Sequence, residues 1–300
     1  HGGRRAGGGA CHANACEDRQ PDQKLVSSLN EESVACGMEK KEIIRGTIRA
    51  NYGRIARREE KSCCGDGCCC GASGAGAEDT AKNIGYSEND LKSVPAGANM
   101  GLGCGNPLAI ASLQEGETVL DLGCGGGFDC FLSRLKVGES GFVIGVDMTP
   151  DMIALARDNA VKSGYKNVEF RLGEAEHLPV ADGTVDAILS NCVINLAQDK
   201  RQVFREAYRV LRPGGRLSVS DVVAEKPLPE AVKADPSLVS GCIGGAVLAA
   251  DIRAMLLEAG FEDASLTPKA NGREIIQSWG FGGNLEDYVA SYEIRARKPK

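Results

Sequence analysis

Over residues 118–298, short apolar runs alternate with stretches in which apolar residues recur every three or four positions. The apolar runs predict buried strands, and the longer period predicts helices packed against them. Strands are predicted at Thr118–Leu122, Gly141–Val146, Val168–Leu172, Val185–Ser190, Arg216–Val222, Asp263–Pro268 and Val289–Lys298. Helices are predicted at Phe128–Leu135, Asp151–Ser163, Lys200–Val210 and Ala250–Ala259. This alternation indicates an α/β fold with a seven-stranded, mainly parallel sheet flanked by helices.

The first third of the chain has a different pattern. Residues 1–36 are rich in glycine, alanine and polar residues without sustained periodicity, so we expect a disordered tail. Lys40–Arg58 carries isoleucines at helical spacing and predicts an amphipathic helix, and a glycine-rich loop with five cysteines follows it. Two short helices are predicted at Ser87–Ser93 and Leu108–Leu113. The predicted organisation is a tail (1–36), a helical and cysteine-rich extension (37–107), a central domain (108–223) and a C-terminal substrate-binding segment with the closing strands (224–300).

Composition narrows the class of protein. A chain of 300 residues with 42% hydrophobic residues can bury a substantial core. The net charge of −6 gives no basic surface for nucleic acid, and no apolar run has the length needed to cross a bilayer. The first ten residues lack the apolar core of a secretory leader, so we expect a cytoplasmic protein. Thirteen cysteines, an odd number, then favour free functional thiols over a disulfide framework.

The sequence Val119-Leu-Asp-Leu-Gly-Cys-Gly-Gly-Gly-Phe-Asp129, followed by Asp147 after the next apolar run, is the first candidate site. A strand that ends in an acid, a glycine turn and a helix together let the backbone approach a nucleoside closely. A dinucleotide site needs the spacing G-x-G-x-x-G, whereas the glycines here are crowded together and no basic residue for a pyrophosphate appears. A turn without any ligand is the structural alternative.

The pattern D-x-G-x-G-x-G, together with the later Leu211-Arg-Pro-Gly-Gly-Arg216, resembles the class I S-adenosylmethionine methyltransferases from about Glu117 to the C-terminus. The resemblance implies a Rossmann-like fold and S-adenosylmethionine as cofactor. It also implies which residues contact the cofactor. Asp121, Gly123 and Gly125 are expected at the methionine end, and Asp147 is expected to bind the ribose. Met148 is expected to pack on the adenine, Glu174 and Ala175 to contact the adenine amine, and Asn191 to contact the cofactor as well. For Glu174, a solvated turn acid is the open alternative.

Three cysteines occupy unusual positions. Cys192 directly follows the fourth predicted strand, so its sulfur is expected at the carboxyl edge of the sheet, where ligands of such folds bind. Cys104 and Cys242 lie in glycine-flanked loops that could reach the same edge. Structural cysteines usually lie inside apolar helices or strands, so these loop positions favour ligation or catalysis. Zinc prefers four tetrahedral ligands, whereas a trivalent metalloid binds three sulfurs in a pyramid.

The motifs around these cysteines carry a narrower resemblance. Asn99-Met-Gly-Leu-Gly-Cys-Gly-Asn-Pro107, Ser190-Asn-Cys-Val-Ile-Asn-Leu196 and Asp235-Pro-Ser-Leu-Val-Ser-Gly-Cys-Ile-Gly-Gly-Ala246 resemble the signatures of arsenite S-adenosylmethionine methyltransferases, over residues 40–300. The resemblance implies methyl transfer to As(III) with Cys104, Cys192 and Cys242 as catalytic, arsenic-binding residues. A further arsenic-binding cysteine falls on Cys63 or Cys64, and the neighbouring cysteines at 68, 69 and 70 leave that choice open.

The same resemblance implies the partners. Arsenic is expected as arsenite or its thiol complex, and a thiol reductant such as thioredoxin or glutathione is expected to reset the enzyme. The Cys63/Cys64 loop could collect arsenic or form a disulfide with Cys104. Two other functions stay open, namely methyl transfer to another small molecule and non-catalytic metalloid binding by the thiols of residues 63–70.

Overall fold

The computed structural model describes residues 41–57 and 76–300. The predicted tail over residues 1–36 and the cysteines Cys63 and Cys64 lie outside these ranges. The chain divides into two compact units, residues 1–43 and 44–300, and the fold below is that of the second. The four predicted segments therefore stay a prediction.

Seven strands form one sheet. They are β1 (Thr118–Leu122), β2 (Phe142–Asp147), β3 (Val168–Leu172), β4 (Val185–Asn191), β5 (Leu211–Ala224), β6 (Glu262–Pro268) and β7 (Val289–Arg297). Their spatial order is β3-β2-β1-β4-β5-β7-β6. The pairs from β3 to β5 are parallel, whereas β7 runs antiparallel to both β5 and β6. The predicted α/β fold with a seven-stranded, mainly parallel sheet is confirmed.

Helices flank the sheet. They are α1 (residues 44–56 of this unit), α2 (Ala77–Ile84), α3 (Glu88–Lys92), α4 (Pro107–Ala111), α5 (Phe128–Val137), α6 (Pro150–Ser163), α7 (Lys200–Val210), α8 (Glu230–Ala234), α9 (Pro236–Ser240), α10 (Ala249–Glu258) and α11 (Gly272–Ser278). The sequence analysis missed α2, α8, α9 and α11, because all four are too short for a clear apolar period. Within the described ranges, no helix is both long and apolar enough to span a membrane.

The core lies on both faces of the sheet. In β1, Val119 and Leu120 point to opposite faces and are both fully buried. Val119 belongs to a cluster with residues of α5 and α6, and Leu120 belongs to a cluster with residues of α7 and α10. Burial on both faces explains why β1 reads as an unbroken apolar run apart from Asp121 at its carboxyl end.

The topology creates one place for a ligand. The chain proceeds outward from β1 to β3 and then returns to place β4 on the other side of β1. The helices that follow β1 and β4, α5 and α7, therefore lie on opposite faces of the sheet, and a crevice is expected at the carboxyl edge where the strand order reverses. The glycine loop (residues 123–127) and the segment Asn191–Cys192 both lie at this edge.

Candidate functional site

The glycine loop has a backbone that other residues adopt with difficulty. Gly123, Gly125 and Gly127 have φ angles of 70°, 51° and 91°. A Cβ atom on Gly123 would lie 2.2 Å from a methyl carbon of Val193, in the loop after β4. Close packing of the two loops therefore requires glycine at position 123. Gly127 then leads directly into α5, whose first N–H groups face the carboxyl edge of the sheet.

Asp147 at the end of β2 holds this loop in place. Its Oδ2 accepts a hydrogen bond from the Gly125 N–H at 3.0 Å, and its Oδ1 accepts one from the Thr149 N–H at 2.8 Å. Burial raises the pKa of the Asp147 carboxyl above its ordinary value, while these two N–H donors oppose the rise. Asp147, predicted to bind the ribose, is thus a half-buried acid directly beside the glycine loop.

Asp121 at the end of β1 is more deeply buried. Burial raises the pKa of its carboxyl well above the ordinary value, and the nearby charge of Asp129 adds to the rise. Its Oδ2 accepts a hydrogen bond from the Cys130 thiol at 3.2 Å. Two acids, the buried Asp121 and the half-buried Asp147, therefore lie near the carboxyl ends of neighbouring strands, which favours a ligand that carries positive charge or hydroxyl groups.

The edge cleft is the open space bounded by the glycine loop, the end of β4 and α1. It is a concave site open to solvent at its mouth, lined mainly by apolar surface with a few polar groups. Of the predicted cofactor residues, its lining includes Asp121, Gly123, Gly125, Asp147, Met148, Ala175 and Asn191. These residues provide carboxylates, an amide and an apolar wall, and the basic residue in the lining, Arg45, lies against the carboxylate of Glu174, so the cleft fits S-adenosylmethionine better than a pyrophosphate-bearing cofactor.

Glu174 lies next to Ala175 of the cleft lining and contacts α1. It does not line the edge cleft, and its Oε1 accepts a hydrogen bond from Nη2 of Arg49 in α1 at 2.5 Å. Nε of Arg45 lies 3.5 Å from the same oxygen. Arg45, Ile48 and Tyr52 of α1 line the cleft themselves. The acid that was expected at the adenine amine is therefore engaged in attaching α1 beside the cleft.

The loop around Cys104 is wedged between β4 and β5. A Cβ atom on Gly103 would lie 2.7 Å from Nδ2 of Asn191, and one on Gly105 would lie 2.6 Å from Cβ of Ser220. Neither neighbour is solvent-exposed, so both flanking positions need glycine. The glycines indeed allow Cys104 to approach the end of β4 closely, as the sequence motif suggested.

Cys104 and Cys192 are joined by a disulfide, with their Cα atoms 6.0 Å apart. The sequence analysis expected free thiols, and among the residues that the structure describes Cys124, Cys130 and Cys242 are free. Cys192 has a φ of 58°, which is rare for a residue with a side chain, and it lines the edge cleft. The pair therefore brings two predicted arsenic ligands together at the wall of the cleft.

Cys242 completes the cysteine cluster, defined as Cys104, Cys192 and Cys242. It also has a positive φ, 64°, and its thiol donates a hydrogen bond to the Cys192 carbonyl oxygen at 2.8 Å. Burial raises the pKa of this thiol well above its ordinary value, so it is protonated at neutral pH. All three cysteines belong to one buried apolar cluster. A single atom bound by three sulfurs would require the disulfide to be reduced and the Cys242 thiol to leave the carbonyl.

An acid that the sequence analysis did not single out lies beside the cluster. One carboxylate oxygen of Asp221 in β5 is within 4.8 Å of the sulfur atoms of Cys104 and Cys192. Asp221 accepts hydrogen bonds from the Ile194 N–H and the Asn195 side chain, and burial raises its pKa to about 6. The available signal was its position, because Asp221 lies in β5 directly after Ser220, which pairs with Asn191 at the end of β4 beside Cys192.

Comparison with known proteins agrees with this geometry. Residues 113–263 match a family described as a methyltransferase domain. The chain is 46% identical to an arsenite methyltransferase of Halobacterium salinarum over 293 residues, covering 95% of this chain and 74% of that protein. It is 45% identical over 171 residues to an arsenite methyltransferase of Aquipseudomonas alcaligenes, covering 55% of this chain and 49% of that one. The chain thus spans about three quarters of the first relative and about half of the second.

Among solved structures, the fold resembles an arsenic(III) S-adenosylmethionine methyltransferase from Chlamydomonas reinhardtii, with a TM-score of 0.52 and 32% identity over 74% of this chain and 73% of that one. A phosphoethanolamine N-methyltransferase of Haemonchus contortus in complex with S-adenosyl-L-methionine shares the fold, with a TM-score of 0.55 and 20% identity over 75% of this chain and 60% of that one. The 46% identity to the Halobacterium salinarum relative over 95% of this chain and the arrangement of the glycine loop beside the cysteine cluster lead to one assignment: this chain belongs to the arsenite methyltransferase family and has the class I methyltransferase fold.

Proposed function

We propose that this chain transfers methyl groups from S-adenosylmethionine to trivalent arsenic held by the thiolates of Cys104, Cys192 and Cys242, giving methylated arsenicals as a detoxification reaction. The observation that carries the proposal is the position of Cys192. It lines the edge cleft, and at the same time it contacts both other members of the cysteine cluster. The donor site and the acceptor site therefore share one wall.

On the donor side, bound S-adenosylmethionine supplies a methyl group that is already activated by a positively charged sulfur. The residues of the cleft bind and orient it. In the proposal, Asp121, Gly123 and Gly125 hold the methionine end, and Asp147 binds the ribose hydroxyls. Met148 and Ala175 pack on the adenine, and Asn191 faces the reactive end. Holding two reactants in line accounts for much of the acceleration in such a reaction, so no general base is required from the protein.

On the acceptor side, the cysteines act as ligands. Arsenite, As(OH)₃, exchanges its three hydroxyl groups for three thiolates, and three water molecules carry away the thiol protons. The Cys104–Cys192 disulfide must first accept two electrons from a thiol reductant, for which glutathione or thioredoxin is the proposed class. Cys63 or Cys64 is proposed to bind arsenic first and pass it to these three thiolates. The proposal also includes a cytoplasmic location, where reduced thiols persist.

The experiment uses the reduced full chain with isotope-labelled S-adenosylmethionine, excess thiol and arsenite, followed by chromatographic separation of arsenic species. Labelled methylarsenicals support the proposal. Recovery of all arsenic as arsenite, or transfer of label to another acceptor without arsenite, contradicts it. Non-catalytic metalloid binding, the other open function, would give tight arsenite binding without consumption of S-adenosylmethionine, so the same assay distinguishes that function as well.

A further inference from the structure

The backbone of Cys104 is held at both of its polar groups by side chains from distant strands. Its N–H donates to Oδ1 of Asn191 at 3.0 Å, and its carbonyl oxygen accepts a hydrogen bond from Oγ of Ser291 in β7 at 2.7 Å. Cys104 and Ser291 are fully buried. The position of the Cys104 thiol therefore depends on how these two side chains are oriented.

Asn191 can perform this role in only one amide orientation. Its Oδ1 must face the Cys104 N–H, and its Nδ2 donates to the Gly105 carbonyl oxygen at 2.8 Å and to the hydroxyl oxygen of Tyr86 at 3.1 Å. A reversed amide would direct N–H groups at another N–H group and leave both without an acceptor. An acceptor on the nitrogen side thus fixes the orientation that holds Cys104.

Tyr86 is such an acceptor because its own proton is used elsewhere. The Tyr86 hydroxyl donates to Oδ1 of Asp129 at 2.6 Å, so its oxygen faces Asn191 only as an acceptor. Its ring is buried and meets Phe128 edge to face, with the ring centroids 4.8 Å apart. Asp129 lies in the first turn of α5, directly after the glycine loop, and is buried too. The Asp129 carboxylate can only accept, so it fixes the direction of the Tyr86 hydrogen bond and, through it, that of the Asn191 hydrogen bond.

We propose that Tyr86 and Asp129 are positioning residues, which through Asn191 hold the thiol of Cys104 beside that of Cys192. This series of hydrogen bonds runs from Asp129 through Tyr86 and Asn191 to the Cys104 backbone, and it joins the start of α5 to the cysteine cluster. Asp129 and Asn191 also line the edge cleft, so a ligand bound there lies against the same series of hydrogen bonds. The arsenic-binding use of the thiol pair rests on the proposed function, whereas the positioning does not.

The test measures how closely the two thiols are held. The reduced full chain is equilibrated with glutathione buffers of graded ratio, so that two thiols and one oxidised glutathione give the disulfide and two reduced glutathiones. The Cys104–Cys192 cross-linked peptide is then quantified by mass spectrometry after the free thiols have been alkylated. When half of the protein carries the disulfide, the squared concentration of reduced glutathione divided by the concentration of oxidised glutathione gives the effective concentration of one thiol toward the other.

Tyr86→Phe removes the hydroxyl and keeps the ring. We expect an effective concentration about tenfold lower than in the unaltered chain, because one buried hydrogen bond and its unsatisfied partners have an effect of that order. Tyr208→Phe is the matched control, since Tyr208 packs on Phe261 away from the cysteine cluster, and it should leave the value unchanged. Val203→Ala, a core truncation in α7, shows the effect of lower stability alone.

An effective concentration in Tyr86→Phe that equals that of the unaltered chain overturns the proposal. A decrease no larger than that of Val203→Ala at the same loss of melting temperature overturns it as well. Neither result depends on arsenic. If the unaltered chain forms no methylarsenicals but Tyr86→Phe still lowers the effective concentration, the proposed function fails and the positioning role stands.

Discussion

The thiol of Cys242 donates a hydrogen bond to the main-chain carbonyl oxygen of Cys192 at 2.8 Å, although 50 residues separate them in sequence. Both residues have positive φ angles, which are uncommon in residues with a side chain and concentrate at functional sites. Two separate loops thus adopt costly backbone conformations at the point where they meet. This cost is expected where the placement of a sulfur atom matters more than local stability.

The first prediction concerns the cysteine cluster. Cys104→Ser, Cys192→Ser and Cys242→Ser should each lower the rate of arsenic methylation at least 100-fold, because oxygen is a poor ligand for a soft trivalent atom. The affinity for S-adenosylmethionine, measured by calorimetry, should change less than threefold for Cys104→Ser and Cys242→Ser, since neither residue lines the edge cleft. Cys36→Ser, in the predicted tail, is the control for the loss of a thiol and should retain full activity.

The second prediction concerns the glycine loop. Gly123→Ala should weaken S-adenosylmethionine binding at least tenfold, because its methyl group would collide with Val193, which also lines the cleft. Gly183→Ala is the matched control, since Gly183 has a similar φ of 60° but open space around it. The control should show only the cost of a positive φ, about 1 kcal/mol of unfolding free energy, with normal binding. Equal binding by both variants would contradict the steric role of the loop.

The third prediction separates two roles for Glu174. If Glu174 acts by attaching α1, then Glu174→Gln and Arg49→Gln should each weaken S-adenosylmethionine binding by about two- to fivefold, and the double variant should lose no more than either single one. The effect should be small because both side chains are partly exposed. A direct contact with adenine predicts instead that Glu174→Gln alone weakens binding.

The fourth prediction concerns pH. Burial raises the pKa of Asp129 to about 6, whereas the unfolded chain has the ordinary value near 3.8. Between these values the folded chain binds more protons, so this group makes the free energy of unfolding fall as pH rises from 4 to 6. Asp129→Asn should remove that part of the decrease in urea unfolding between pH 4 and 7. Asp251→Asn, on the exposed start of α10, should leave the pH dependence unchanged.

The inner strands β1, β2 and β4 were predictable because each contains a run of buried apolar residues between polar turns. The predicted bounds of β1 and β3 agree with the structure, and β5 extends beyond its prediction because Leu211 already pairs with Val185. Helix α9 was missed because it has only five residues. Its start depends on Asp235, which accepts hydrogen bonds from the backbone of Ser237 and Leu238.

The motifs of the site were predictable from the sequence, but the residues that hold those motifs in position were not. The glycine loop and the glycine-flanked cysteines carry local signatures, since close backbone approach demands particular residue types at particular spacings. Tyr86, Asp221 and Ser291 carry no such signature. Tyr86 meets Asn191 across 105 positions, and Ser291 meets Cys104 across 187, so only the folded chain reveals their contacts. The pairing of Glu174 with Arg49, 125 positions away, is likewise visible only in the folded chain.

The most direct test of the account is the coordination of arsenic itself. X-ray absorption at the arsenic edge is recorded for the reduced full chain with one equivalent of arsenite, and then for the Cys104→Ser, Cys192→Ser and Cys242→Ser variants. The account predicts three sulfur neighbours in the unaltered chain and two in each variant. Three sulfurs retained in all three variants, or arsenic still bound to oxygen in the unaltered chain, would contradict it.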